Sequence, residues 1–272
     1  MRYRFTSWSS YALMGALAIA PLSLGMMGWT DQALAQAPAA APAVRPAPAV
    51  LSQTLTQIDA AANGGNLPAV MAFYAPQFTN SDGLTYSTFQ DALSKFWKRY
   101  PGMVYNTVIT SWKAEGSALI VETTTTIMGT QTTLDRPVNL TATIASRQRF
   151  EGEKIVQQEI LSEQSQVTMG QTPPTVQVNL PEQVTIGRSY AFDAIVTEPL
   201  GDRLLLGAAL EETINAGGYL NAVPINLELL SSGGLFKIGR APLLPENRWV
   251  SAVIIRNDGM TAVTRRMRIV GR

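Results

Sequence analysis

Histidine and cysteine are absent from all 272 residues, so any chemistry falls to tyrosine, carboxylate, lysine, arginine and hydroxyl groups. That excludes thiol nucleophiles, disulfides, Cys/His metal sites and every acid–base scheme built on an imidazole near neutral pH. Acid–base work by the remaining groups requires a carboxylate or phenol whose surroundings shift its pKa. Tyr74, Tyr86, Tyr100 and Tyr105 supply phenols, and Asp82, Glu122 and Glu159 supply carboxylates. The first half of the chain carries no glycine-rich phosphate loop, metal-spaced carboxylate cluster or serine elbow, so neither metal nor cofactor is expected.

Each candidate has a plainer reading. Glu122 interrupts Leu119-Ile120-Val121 in a Thr-rich run. Turned inward it would be a perturbed acid; turned outward it pairs with Arg147 or Arg149. Glu159 is read the same way, and Asp82-Gly83 reads as a turn pair. Tyr74, Phe78, Trp97 and Trp112 are the aromatic candidates for lining a pocket, with hydrophobic core as the alternative. The expected pocket-lining set is therefore Tyr74, Phe78, Trp97, Trp112, Glu122 and Glu159.

The elements that must position these residues follow from pattern. Arg2 and Arg4 precede an uncharged stretch from Ala12 to Trp29, and Ala33-Leu34-Ala35 offers small residues at the two positions a signal peptidase reads. Residues 1–35 are expected to be a signal peptide, which places the chain in the periplasm or outside the cell. The alternative is a membrane anchor formed by uncleaved residues 12–29. Removing residues 1–35 leaves 19 basic against 19 acidic side chains, a balance with no electrostatic pull toward nucleic acid or anionic lipid. Residues 36–50 are almost wholly Ala, Pro and Val and read as a semi-rigid linker.

Leu51, Leu55, Ile58 and Ala62 recur at helical spacing and stop at Asn63-Gly64-Gly65. Asn66 caps a second helix that Pro76 should end, and a third opens at Ser87-Thr88-Phe89-Gln90 and carries Phe89, Leu93, Phe96 and Trp97. Four long strands follow, at residues 103–112, 118–128, 138–150 and 155–168.

The phrases Gly65-Asn66-Leu67 and Phe73-Tyr74-Ala75-Pro76-Gln77-Phe78, then Ser81-Asp82-Gly83, a helix, and strands ending at Phe150-Glu151-Gly152-Glu153-Lys154-Ile155, resemble the nuclear transport factor 2-like superfamily, in particular its SnoaL-like bacterial members. The resemblance spans about 120 residues, 51–170. It implies an α+β cone, three helices packed on a curved antiparallel sheet around a pocket. Ketosteroid isomerases, scytalone dehydratase and polyketide cyclases share that fold with many non-catalytic domains. The histidine-dependent chemistries do not carry over to a chain without histidine.

Residues 171–272 read as short strands separated by turns, the strongest being Asn257-Asp258-Gly259. About seven such strands in about 100 residues is the pattern of an all-β immunoglobulin-like sandwich. Arg265, Arg266 and Arg268 are expected to protect an edge strand, or to dock an acidic partner. The function implied is an exported, non-catalytic protein whose cone binds a small apolar molecule or a protein partner, with the sandwich as spacer or second surface. A cofactor-free isomerase, dehydratase or cyclase is the alternative. No nucleic acid and no stable membrane insertion after cleavage are expected, and a homodimer through the sheet is allowed.

Overall fold

The computed structural model describes residues 46–271, apart from 134, 135, 202, 222 and 231. The expected signal peptide and most of the linker lie outside the described residues. Among those described, no helix is long and apolar enough to cross a membrane.

Helix α1 (Ala49–Asn63) buries Leu51, Leu55 and Ala62 as its periodicity predicts. In α2 (Leu67–Met71), the Asn66 side chain accepts from Ala69 N and Pro68 sits in the first turn, where a missing N–H costs nothing. Helix α3 (Tyr86–Arg99) begins two residues earlier than expected. Thr85 is its cap, reciprocated by Thr88, and Lys98 and Arg99 face the negative end of the helix dipole.

The stretch between α2 and α3 is a strand, β1 (Tyr74–Asn80), that runs parallel to β5. Sequence periodicity missed it because Pro76 reads as a breaker. Here the exposed Pro76 falls where the β1–β5 register shifts, between Tyr74 and Thr79, so its missing N–H removes no ladder bond at that point. Strands β2 (Val104–Glu115), β3 (Ala118–Thr133), β4 (Arg136–Glu151) and β5 (Lys154–Gly170) form the expected antiparallel meander.

The remaining strands are β6 (Val176–Asn179), β7 (Gln183–Thr185), β8 (Ser189–Val196), β9 (Leu205–Thr213), β10 (Glu228–Leu230), β11 (Gly234–Arg240), β12 (Glu246–Arg256) and β13 (Gly259–Val270). Their arrangement overturns the expectation of an α+β cone followed by an immunoglobulin-like sandwich. Strand β13 pairs with β5 from Gly259↔Gly170 to Arg265↔Gln164, fusing both halves into a ten-stranded sheet in the order β10-β9-β12-β13-β5-β4-β3-β2, with β1 and β7 attached beside β5 and β13. Among the described residues, only β11-β8-β6 form a separate sheet. The described residues are mostly β, with three helices on part of one large sheet.

Register shows how the layers sit. Residues directly opposite in an antiparallel pair point to the same face. Ala262 lies opposite Val167 and Thr264 opposite Ser165. Val167 packs with Tyr100 and Met103, the latter just after α3, so Ala262, Thr264 and Arg266 share the helix-covered face. Val263, Met267 and Ile269 point the other way and pack against Phe192, Ala194 and Leu235 of the three-stranded sheet. The helices and the small sheet thus cover opposite faces of one continuous sheet.

Candidate functional site

A cavity of about 130 Å³ lies between α1, α3 and the inner face of β2–β5. The period of two along the strands sets what faces it. Tyr105 and Thr107 on β2, Thr125 and Ile127 on β3, and Ile144, Ser146 and Gln148 on β4 point inward. Leu55, Ile58 and Asp59 come from α1, and Phe89, Leu93 and Trp97 from successive turns of α3.

Two helix–strand contacts fix the polar wall. Asn63 brackets Tyr105, its Oδ1 accepting from Tyr105 N at 2.6 Å and its Nδ2 donating to Tyr105 O at 3.1 Å. One turn earlier, both oxygens of Asp59 accept from Thr107, from the amide N at 2.6 Å and Oγ1 at 2.8 Å. The Trp97 indole donates to Tyr105 Oη at 2.7 Å. Burial pushes the Tyr74 hydroxyl well above its ordinary pKa, and the nearby Asp59 charge pushes it further. Tyr105 is also raised by burial, against the opposing effect of the Trp97 hydrogen bond. Both phenols therefore stay neutral across the physiological range.

Gln148 stands apart. It is 6% exposed and lines the cavity, and its Oε1 has no hydrogen-bond partner. A buried carbonyl oxygen left unpaired costs about 1–3 kcal/mol, so such an atom calls for an explanation. Beside it Gln158 accepts from Asn80 Nδ2 at 3.2 Å.

The far wall is supplied by the second half of the chain. Tyr219, between β9 and β10, lines the cavity together with Glu163 of β5. An Asn215 side chain accepts from Gly218 N, and the next residue, Tyr219, stacks edge-on against Trp249 with ring centroids 4.8 Å apart. A Cβ at Gly218 would stand 2.8 Å from the Trp249 ring, so only glycine allows that approach.

Behind Tyr219 lies a closed polar network. Arg266 forks onto Asp82, Nη1 to Oδ1 at 2.9 Å and Nη2 to Oδ2 at 2.7 Å, and also donates from Nε and Nη2 to Glu163 Oε2 at 3.1 and 2.9 Å. The Tyr219 hydroxyl donates to Asp82 at 2.5 Å, and the Trp249 indole to Glu163 at 3.0 Å. Side-chain exposures are 0% for Arg266, 1% for Asp82 and 3% for Glu163. Burial alone would depress the Arg266 guanidinium, but Glu163, then Asp82, outweigh it and hold it protonated. Burial, then the Glu163 and Asp82 charges, raise Tyr219 far above its ordinary value.

Of the residues expected from sequence to line a pocket, Tyr74 and Trp97 do so. Phe78 is 1% exposed and packs edge-on against Tyr74 in the adjoining core. Trp112 packs at the margin of that core and borders a surface hollow shared with Glu122. Glu122 faces away from the cavity because even-numbered β3 residues point outward; it accepts from Arg147, which also bonds Glu159 at 2.7 Å. Asp82 is a buried ion-pair partner and not merely a turn residue. Arg266 lies on an interior strand, so the edge-strand reading of the arginine cluster does not hold for it.

Sequence reasoning passed over Asp59, Gln148, Glu163 and Tyr219. Asp59 carried a signal, since it follows Ile58 on the buried stripe of α1. Gln148 sits in the expected meander but only the strand register shows that it faces inward, and Glu163 and Tyr219 depend on contacts between distant parts of the chain.

A family model described as a domain of unknown function (DUF8623) matches residues 171–270. No curated protein matches. Among solved structures, a loop truncation variant of IdmH is 15% identical, covering 40% of this chain and 90% of its own, with a TM-score of 0.31. A hypothetical protein with a ketosteroid isomerase-like fold from Catenulispora acidiphila is 18% identical over 40% of this chain and 83% of its own, at 0.29. An LEH-like epoxide hydrolase from M. tuberculosis is 11% identical over 41% and 80%, also at 0.29.

Proposed function

We propose that this protein binds one small, largely apolar organic molecule in the cavity between α1, α3 and the sheet, and that it acts outside the cytoplasm after export. The observation that carries the reading is the combination of apolar walls with a buried, unpartnered Gln148 Oε1. An apolar protein cavity of about 150 Å³ accommodates one benzene, so about 130 Å³ suits a molecule of single-ring size. Gln148 would receive one donor from it.

Binding is favoured over catalysis by how the polar groups are already occupied. Both Asp59 oxygens are engaged by Thr107, and Tyr105 is tied to Trp97, so neither is poised to take a proton from a guest. The signal-peptide pattern of residues 1–35 and the balanced charge support a carrier or sensor role in the envelope.

The test is a titration of the full-length protein with toluene and benzyl alcohol, following the Trp97 indole N–H by NMR. Saturable shifts are expected, and Ala92→Leu, which fills the cavity from α3, should abolish them while the fold is retained. Shifts that persist in Ala92→Leu, or none with any single-ring guest, would overturn the reading.

A further inference from the structure

The cavity wall is electrostatically one-sided. Among the described residues it includes two carboxylates, Asp59 and Glu163, and no lysine or arginine. Among the described residues no cation lies within ion-pair distance of Asp59, whose oxygens are held by the neutral donors of Thr107 alone. Glu163 shares Arg266 with Asp82, so that buried group carries two carboxylates for one guanidinium.

Three further features match a positive guest. The unpartnered Gln148 Oε1 is an acceptor only, buried and lining the cavity. Phe89, Trp97, Tyr105 and Tyr219 contribute aromatic rings to the same wall, and the faces of such rings attract cations. Asp59 is half-buried, where a charge attracts an opposite charge more strongly than it would in bulk water.

We infer that the natural ligand is a small protonated amine with an apolar body, its ammonium N–H donating to Gln148 Oε1 in a cavity whose two charged lining residues, Asp59 and Glu163, are both carboxylates, and its hydrocarbon against the aromatic and aliphatic wall. This inference rests on the small-molecule reading above and names its ligand class. A neutral molecule of the same shape would satisfy the volume and, if it carried a donor, Gln148, but would leave Asp59 without a counter-charge.

The experiment compares benzylammonium, benzyl alcohol and toluene as probes with the full-length protein at pH 7, by calorimetry and the Trp97 indole shift. Benzylammonium is expected to bind at least about tenfold tighter than benzyl alcohol, the scale of a charge-assisted hydrogen bond over a neutral one. Asp59→Asn and Gln148→Leu should each weaken benzylammonium by about tenfold and leave toluene within about twofold. Near-UV circular dichroism would establish that each variant is folded, and the toluene affinity serves as an internal control for the cavity. Equal or tighter binding of the alcohol or toluene would overturn the amine assignment while keeping the small-molecule reading. Binding of none of the three would overturn both.

Discussion

Two arginines in this molecule do the same thing in opposite surroundings. Arg147 bridges Glu122 and Glu159 on the outer face of the sheet, with 44% of its side chain exposed. Arg266 bridges Asp82 and Glu163 on the covered face, with 0% exposed. Water screens the first cluster and solvates each member when a partner is lost. The second has no such reserve, so its members stabilise the fold only as a complete set. The difference is also topological. The Arg147 cluster links neighbouring strands of one meander, whereas Arg266 ties β13 to Asp82, ahead of α3, and to β5, across 184 and 103 residues of chain. The buried cluster joins the two halves and backs the cavity wall; the exposed one decorates a sheet that is already formed.

Arg266→Met gives the largest expected effect. It leaves two carboxylates buried without a cation, which should lower unfolding stability by about 3–5 kcal/mol in urea titration. A loss under about 1 kcal/mol would mean the cluster is not dry, and the contrast with Arg147 would fail. The comparison sharpens with Asp82→Leu, Glu163→Leu and Arg266→Met combined. Removing all three charges should recover most of the loss, because the desolvation cost disappears with the ion pairs.

Tyr219→Phe comes next. Loss of the hydroxyl that donates to Asp82 should cost about 1–3 kcal/mol, since it leaves a buried acceptor short of a donor. Its pH signature is distinctive. The folded protein holds Tyr219 far above the ordinary tyrosine value of 10.0, which favours the neutral form in the fold. The resulting stability is fully present below 10.0 and is lost as pH rises from there toward the folded value, because the unfolded chain ionises first. The melting temperature should therefore fall steeply above pH 10, and less steeply in Tyr219→Phe. Identical slopes in the two proteins would remove Tyr219 from the buried network.

How much of this was legible in the sequence depends on distance along the chain. Leu51, Leu55 and Ile58, the Asn66 cap, the four-stranded meander and the turn at Asn257-Asp258 are local patterns, and the structure has them. β1 was hidden because Pro76 normally ends an element, and only its parallel partner β5 makes it a strand. The union of the halves was hidden for a different reason. The alternation in β13 is equally compatible with a sandwich edge and a sheet interior, and only the pairing of Gly259 through Arg265 with Gly170 through Gln164 decides. Once that strand is interior, Arg266 needs buried counter-charges, and Asp82 and Glu163 supply them. The cavity was half legible for the same reason. Tyr74 and Trp97 lie on amphipathic elements, whereas Glu163 and Tyr219 reach it only through the long-range fold.

The smallest effect is expected at the exposed cluster. Arg147→Ala should change unfolding stability by no more than about 0.5 kcal/mol at neutral pH, and less still in high salt. The cluster should nevertheless leave a trace in acid. Hydrogen bonds from Arg147, then Ser111, hold the Glu122 carboxyl below its ordinary value of 4.5. A depressed carboxylate contributes stability above 4.5 that is lost as pH falls through the folded value, because the unfolded chain takes up the proton first. Stability measured from pH 6 to pH 2 should thus fall less in Arg147→Ala than in the parent, with Glu122→Gln also removing the share of the Glu122 slope that Ser111 supplies. If Arg147→Ala instead cost as much as Arg266→Met at pH 7, burial would not be what separates two otherwise similar clusters, and the exposed one would have to be acting through the fold of the meander itself.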